Sequence, residues 1–291
     1  MASGTPTNRT NISLPVDISK EIIAKAVESS AVMALGRKVS LPGRGKEIPV
    51  ILGDPEASWV SETGKKPVSN PNLSQKILRP YKLAVIVPFS NEFKRDLNEL
   101  YEEIKRRLPA ALGKKFDETV FGFTDAPGSD FDTFASVTGQ EIGTDAYDGL
   151  VAADTDISTH GGIVNGYALS PQGKGVLLAS KDSTGRPLFI NNTSEGAIPY
   201  ILGSKTRIVR GAYNRESNVV GFAGDWTMAM WGAVNEIELK ISDQATLDLG
   251  DGNVIYLWQQ NMFAVLAEIE VGFRADTSVF NKLTATPEVS G

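Results

Sequence analysis

Residues 55–88, PEASWVSETGKKPVSNPNLSQKILRPYKLAVIVP, set how the rest of the chain is arranged. Two strand-like runs, 57–60 and 81–87, flank a long polar span holding Gly64, Pro67, Asn70, Pro71 and Asn72. That composition suits a far-reaching hairpin tip rather than a tight turn. In the second run Tyr81, Leu83, Val85 and Val87 share one face of a period-two strand, with Lys82 and Ala84 on the other. This limb is therefore expected to be half buried within its own subunit. Downstream, Leu97, Leu100, Ile104, Leu108, Leu112 and Phe116 recur three or four apart, the spacing of a long amphipathic helix. A projecting hairpin fixed to a rigid rod is the layout of a building block more than of an enzyme.

The rod is expected to start near Ser90 or Asn91, either of which can cap it. Glu92, Glu99, Glu102 and Glu103 come early and Arg106, Arg107, Lys114 and Lys115 late, an order that complements the helix dipole. Pro109 predicts a bend. Upstream, residues 1–16 are polar and aperiodic and read as an arm that orders against a neighbour. From a cap at Asp17 or Ser19, Ile18, Ile22, Ala26 and Val27 predict a helix to about Val32. Gly36, Pro42, Gly43 and Gly45 then interrupt the chain before a strand at 46–52.

Beyond the rod, an Asp-, Gly- and Phe-rich loop at 122–143 reads as the boundary to a second module. Helices are expected at 145–153 and from Pro171, and strands at 166–169, 208–209, 219–222, 227–231, 236–241 and, after Gly250-Asp251-Gly252, at 253–273. Helices mixed with antiparallel strands make the class α+β.

The chain has 291 residues, 41% hydrophobic and 22% charged, without a cysteine. It is long enough for a large core, carries no disulfide or thiolate chemistry, and fits synthesis in a reducing cytoplasm. No signal-peptide h-region opens it, and no apolar run approaches the ~18 residues that span a bilayer. A net charge of −6 argues against gripping nucleic acid, so any nearby nucleic acid is expected to be enclosed without sequence-specific binding.

The chemical motifs are sparse. His160 is the sole histidine, which excludes a histidine-rich zinc site and leaves a Ser-His-acid triad resting on one loop residue. Gly43-Arg44-Gly45-Lys46 and Gly173-Lys174-Gly175 miss the full phosphate-loop pattern and read as turns. Asp145, Asp148, Asp154 and Asp156 lack calcium-loop spacing and suit helix capping. Trp226 and Trp231 read as core or subunit contacts. No cofactor and no metal site is predicted.

Five blocks in order carry a family resemblance: SWVSETGKKP (58–67), the helix after VPFSNEF (87–93), LSP (169–171) followed by DSTGRPLF (182–189), VVGFAGDW (219–226) and QNMFAVLAEIEVGF (260–273). Together they resemble the major capsid proteins of tailed bacteriophages with the HK97 fold. The resemblance implies an N-terminal arm (1–17), a helix and connection (18–43), an extended hairpin loop (44–88) and a peripheral domain with a long spine helix (89–138). An axial domain (139–249), returning peripheral strands (250–284) and a tail (285–291) complete the division.

It also implies hexamers and pentamers of the chain itself in an icosahedral head around double-stranded DNA, assembled in the host cytoplasm. Scaffolding, portal and decoration proteins are expected partners, and no membrane is. Some relatives carry a scaffolding segment ahead of the arm. None stands before Met1, so either a separate scaffold or unaided assembly is expected. The intersubunit hairpin residues would be Trp59, Glu62, Lys65, Lys66 and Pro67.

In one subset of that family a hairpin lysine attacks a neighbour's asparagine, with a glutamate as base. Lys66, Asn261 and Glu268 occupy the matching positions. The amine must lose its proton, which calls for burial near a base whose pKa desolvation has raised. The ordinary alternatives are an exposed or salt-bridged Lys66, with Lys65 competing, and a Glu268 that pairs with an arginine. Asn261 and Glu268 lie an odd number apart, so they face opposite sides of a regular strand, and a shared site needs a bulge or different subunits. Apart from this single-turnover step no enzyme is expected. The rival readings are an encapsulin-type shell and a soluble hydrolase using Glu268 or the Asp145 region.

Overall fold

The computed structural model describes residues 25–52, 72–92, 97–182, 184–189, 198, 200–234, 238–250 and 252–285. After a helical stretch at 25–29, its described α-helices are α1 (Ala31–Leu35), α2 (Leu97–Val120), α3 (Ala146–Thr159) and α4 (Pro171–Ala179). The strands begin with β1 (Arg37–Lys38), β2 (Lys46–Leu52), β3 (Asn72–Leu78), β4 (Tyr81–Ser90), β5 (Thr138–Glu141), β6 (Gly166–Leu169), β7 (Tyr200–Ile201) and β8 (Ser204–Ile208). They continue with β9 (Val219–Gly224), β10 (Ala229–Ala233), β11 (Glu238–Ser242), β12 (Thr246–Asp248), β13 (Val254–Tyr256), β14 (Met262–Ala275) and β15 (Phe280–Thr284).

Two larger sheets organise these elements. In the first, β14 takes β4 along one edge, Met262 opposite Ser90 to Val271 opposite Tyr81, while β11 and then β10 share the other edge and β1 lies beyond β10. The second runs β5-β15-β9-β6-β8-β7. Two hairpins, β2–β3 and β12–β13, belong to neither sheet.

One core joins the sheets, and Phe134 is its keystone. Its ring stacks on Phe280 of β15 at 4.4 Å and meets Phe273 of β14 edge-on at 5.8 Å. Phe121 stacks on Phe222 of β9 at 4.4 Å, and Trp226 meets Phe280 at 5.2 Å. Phe134 lies in the loop expected to separate one module from the next; that loop instead supplies aromatic rings to both sheets. Gly122, at φ +77°, lets the chain turn into it, since a Cβ there would fall 2.5 Å from Ala135.

Several local expectations change. The hairpin's described limbs are β2 and β3, in register from Lys46 opposite Leu78 to Leu52 opposite Asn72; the expected outgoing run 57–60 lies outside the described residues. The run from Tyr81 is a strand of the main sheet, because Pro80 ends the hairpin limb and strict alternation starts only after it. The helix expected over 18–32 stops at Ser29 and restarts as α1, whose N-cap Ser30 accepts from the Met33 amide; residues 18–24 lie outside the description.

The long helix passes through Pro109 as one element, and its last turn holds no base. The strand expected over 253–273 divides into β13 and β14 at a turn closed by Asn261, φ +54°. Sheet membership also crosses the linear division at residue 249, since β10 and β11 pair with β14 and β15 pairs with β9. Strand pairing is a long-range choice that local pattern does not encode.

Candidate assembly surfaces

The β2–β3 hairpin is held to the body at its root. On one side Ile48 and Leu78 pack with Leu41, Met230 and Val234. On the other, Arg274 of β14, nearly buried, donates from Nη1 to Asp132 at 2.9 Å, from Nη2 to Asp130 at 2.6 Å and from Nε to the Ile77 carbonyl at 2.8 Å. Lys76 Nζ donates to the Ala275 carbonyl at 2.9 Å and lies 3.3 Å from Asp132, and Arg79 Nε lies 3.0 Å from Asp130. Two carboxylates from the 122–137 loop thus gather three cations where β3 runs on towards β4 of the main sheet. The sequence reading missed this cluster, although an arginine inside the apolar run VGFRA is itself a sign that carboxylates wait for it.

Trp59, Glu62, Lys65, Lys66 and Pro67 lie outside the described residues. Asn261 is exposed at the turn before β14, its side-chain oxygen accepting from Asn91 Nδ2 at 2.8 Å and its carbonyl from the Asn91 amide at 3.0 Å. Glu268 sits mid-strand, in register with Glu238 of β11 and diagonal to Lys240, with 3.1 Å between Lys240 Nζ and its carboxylate. That hydrogen bond, with the nearby Lys82 charge, holds the Glu268 carboxyl below its ordinary range. The partner is a lysine rather than the expected arginine. At about 3.3 Å per residue, roughly 20 Å of strand separates Glu268 from the Asn261 turn, so one chain does not bring the two together.

Trp226, Trp231, Asp145 and His160 have structural roles. Trp226 and Trp231 are buried and donate to the Gly166 and Met33 carbonyls at 3.0 and 3.1 Å. Asp145 caps α3 through the Tyr147 and Asp148 amides, and His160 closes the same helix with its ring on the Asp156 carbonyl. No cluster of three or more His, Cys, Asp or Glu able to hold a metal occurs among the described residues.

Large apolar side chains nonetheless face outward. Leu249, Val254, Tyr256 and Trp258 crowd the β12–β13 hairpin and the turn after it, with Trp258 73% exposed. Tyr200, Leu202 and Ile208 line the β7–β8 edge of the second sheet. Apolar groups gathered on projecting hairpins mark surfaces that another molecule covers.

Residues 11–277 match the model of the phage capsid family. The chain belongs to the phage capsid family. This capsid chain is 31% identical over 91% of its length to a probable major capsid protein, gp17, of Mycobacterium phage L5, covering 87% of that protein. It is 25% identical over 92% of its length to the major capsid protein of Staphylococcus phage 80alpha, covering 83% of it. A solved chain of Gordonia phage Cozz superposes with a TM-score of 0.70 at 21% identity, covering 90% of this chain and 88% of that one. The fold of this capsid chain is therefore that of phage capsid subunits, and its role is structural: a major capsid protein of a phage virion, from a structural family and not an enzyme family.

Proposed function

We propose that this capsid protein assembles as hexamers and pentamers into an icosahedral head that encloses double-stranded DNA, by an HK97-like subunit plan. In that plan the five-stranded sheet with α2 is the peripheral part, the six-stranded sheet the axial part, and β2–β3 the base of the extended loop that reaches over a neighbour. The observation that carries the reading is the exposed apolar surface on β12–β13 and β7–β8, which a single chain leaves in water. Assembly in the host cytoplasm, with scaffold, portal and decoration partners, belongs to the same reading. Nucleic-acid absorbance of purified particles separates it from an encapsulin-type shell, which would lack packaged DNA.

The isopeptide step is a second reading, favoured by the exposed Asn261 side chain, whose carbonyl already accepts a donor from Asn91. The Lys66 amine would add to the Asn261 side-chain carbon, the amide nitrogen would leave as ammonia, and Glu268 of another subunit, released from Lys240, would carry the proton. Denaturing mass of boiled particles tests it. A ladder of chain multiples that collapses in Lys66→Ala or Asn261→Ala supports the step; a single band at one chain's mass rules it out while leaving the shell reading intact.

A further inference from the structure

Beside the hairpin root, Gly43, Arg44, Gly45, Lys46, Glu47, Ile77, Arg79 and Pro80 enclose a cleft of about 410 Å³. The Gly45 amide donates to the Pro42 carbonyl at 2.8 Å, and at φ +85° Gly45 brings the backbone so close that a Cβ would lie 3.0 Å from the Leu78 carbonyl. This turn sets Arg44 and Lys46 on the rim, both exposed. Neither side chain forms a hydrogen bond or ion pair with a described residue. Arg79 is different: Asp130 holds its Nε at 3.0 Å, which orients the guanidinium while more than half the side chain stays in water. A guanidinium fixed at Nε presents its terminal N–H groups as a ready fork for a carboxylate. Against these three cations the cleft carries one carboxylate, Glu47.

We infer that this cleft is a docking site for a carboxylate side chain of a second copy of the same chain. The inference rests on the shell reading above, which supplies neighbouring copies, and charge complementarity selects the occupant. The chain as a whole carries −6, so a neighbour offers acid in excess while this corner of the surface offers base. A DNA backbone is the lesser fit. Three cations gathered in one cleft make no continuous track for a run of phosphates. A bridge placed at the hairpin root ties the reaching element to the neighbour where its direction is set.

The test uses shells of the full chain assembled from a mixture of isotope-labelled and unlabelled subunits, treated with a carbodiimide, which condenses an amine with a carboxylate in contact. We expect Lys46 in a mixed-isotope, hence intersubunit, amide in shells and not in dissociated chains. The Arg44→Glu/Lys46→Glu double variant should keep the wild-type circular dichroism and melting temperature while shell yield falls about ten-fold. The inference is overturned if wild-type shells form and Lys46 couples only within its own chain or not at all, or if the double variant assembles at wild-type yield. It is also overturned if Lys46 is shielded only in DNA-filled particles, which would assign the cleft to phosphate. Failure of the wild-type chain to form shells at all would strike the shell reading, and the inference with it.

Discussion

Asp117 is the side chain whose environment most departs from its chemistry. It lies in the last turn of α2, 1% exposed, and accepts from Ser30 Oγ at 2.5 Å and from the Ala31 and Val32 amides at 2.9 and 3.3 Å. One carboxylate thereby caps α1 and ties the N-terminal segment to the long helix. Burial nonetheless outweighs those donors and pushes its pKa up to about 7. The unfolded chain ionises near the ordinary aspartate value of about 3.9, so between that value and 7 the native state binds the additional proton. Stability tied to this group is therefore full at about pH 4 and lost as pH rises through 7, with a ceiling of order 4 kcal/mol. Melting curves from pH 5 to 8 should fall for the wild type and flatten for Asp117→Asn; parallel curves would show that Asp117 stays ionised throughout.

The same physics at the next scale governs the hairpin root. Removing Asp132 leaves the nearly buried Arg274 and the Lys76 amine each short of a partner. An uncompensated buried charge costs several kcal/mol, less here because the carboxylates are partly wet, so Asp132→Ala should lower stability by about 2–3 kcal/mol. Its amides in β2 and β3 should exchange faster than those in β9, because a two-stranded ribbon has little stability of its own; equal protection in both would deny the clamp its role. These elements also show which features a sequence displays. β6 and α4 stand where the sequence places them, as GYAL is continuously apolar and Ser170-Pro171 is a strong helix start. The hairpin limb β3 does not, since NLSQKIL has no alternation and its partner choice is settled 20 residues away. Lys66, Asn261 and Glu268 could be named by motif, yet the Lys240 pair and the Asn261 turn depend on β11 and β4 arriving beside β14.

For the whole molecule, the account is one of many modest contacts closed by symmetry. On this proposal a subunit in a shell would be held by its hairpin, its outward apolar strands and its charged cleft at once, and leaving would break them together. Deleting residues 61–72 should give a chain with the wild-type melting temperature that forms no stable shells, checked by scanning calorimetry beside sedimentation; normal shells from the deletion would remove the hairpin from the assembly scheme. The central claim is the shell itself, and cryo-electron microscopy of particles recovered from cells expressing the full chain tests it most directly. The account predicts closed icosahedral shells whose hexamers and pentamers bury Trp258 and Tyr256 between copies. A concentration-independent monomer with those side chains in solvent would contradict it.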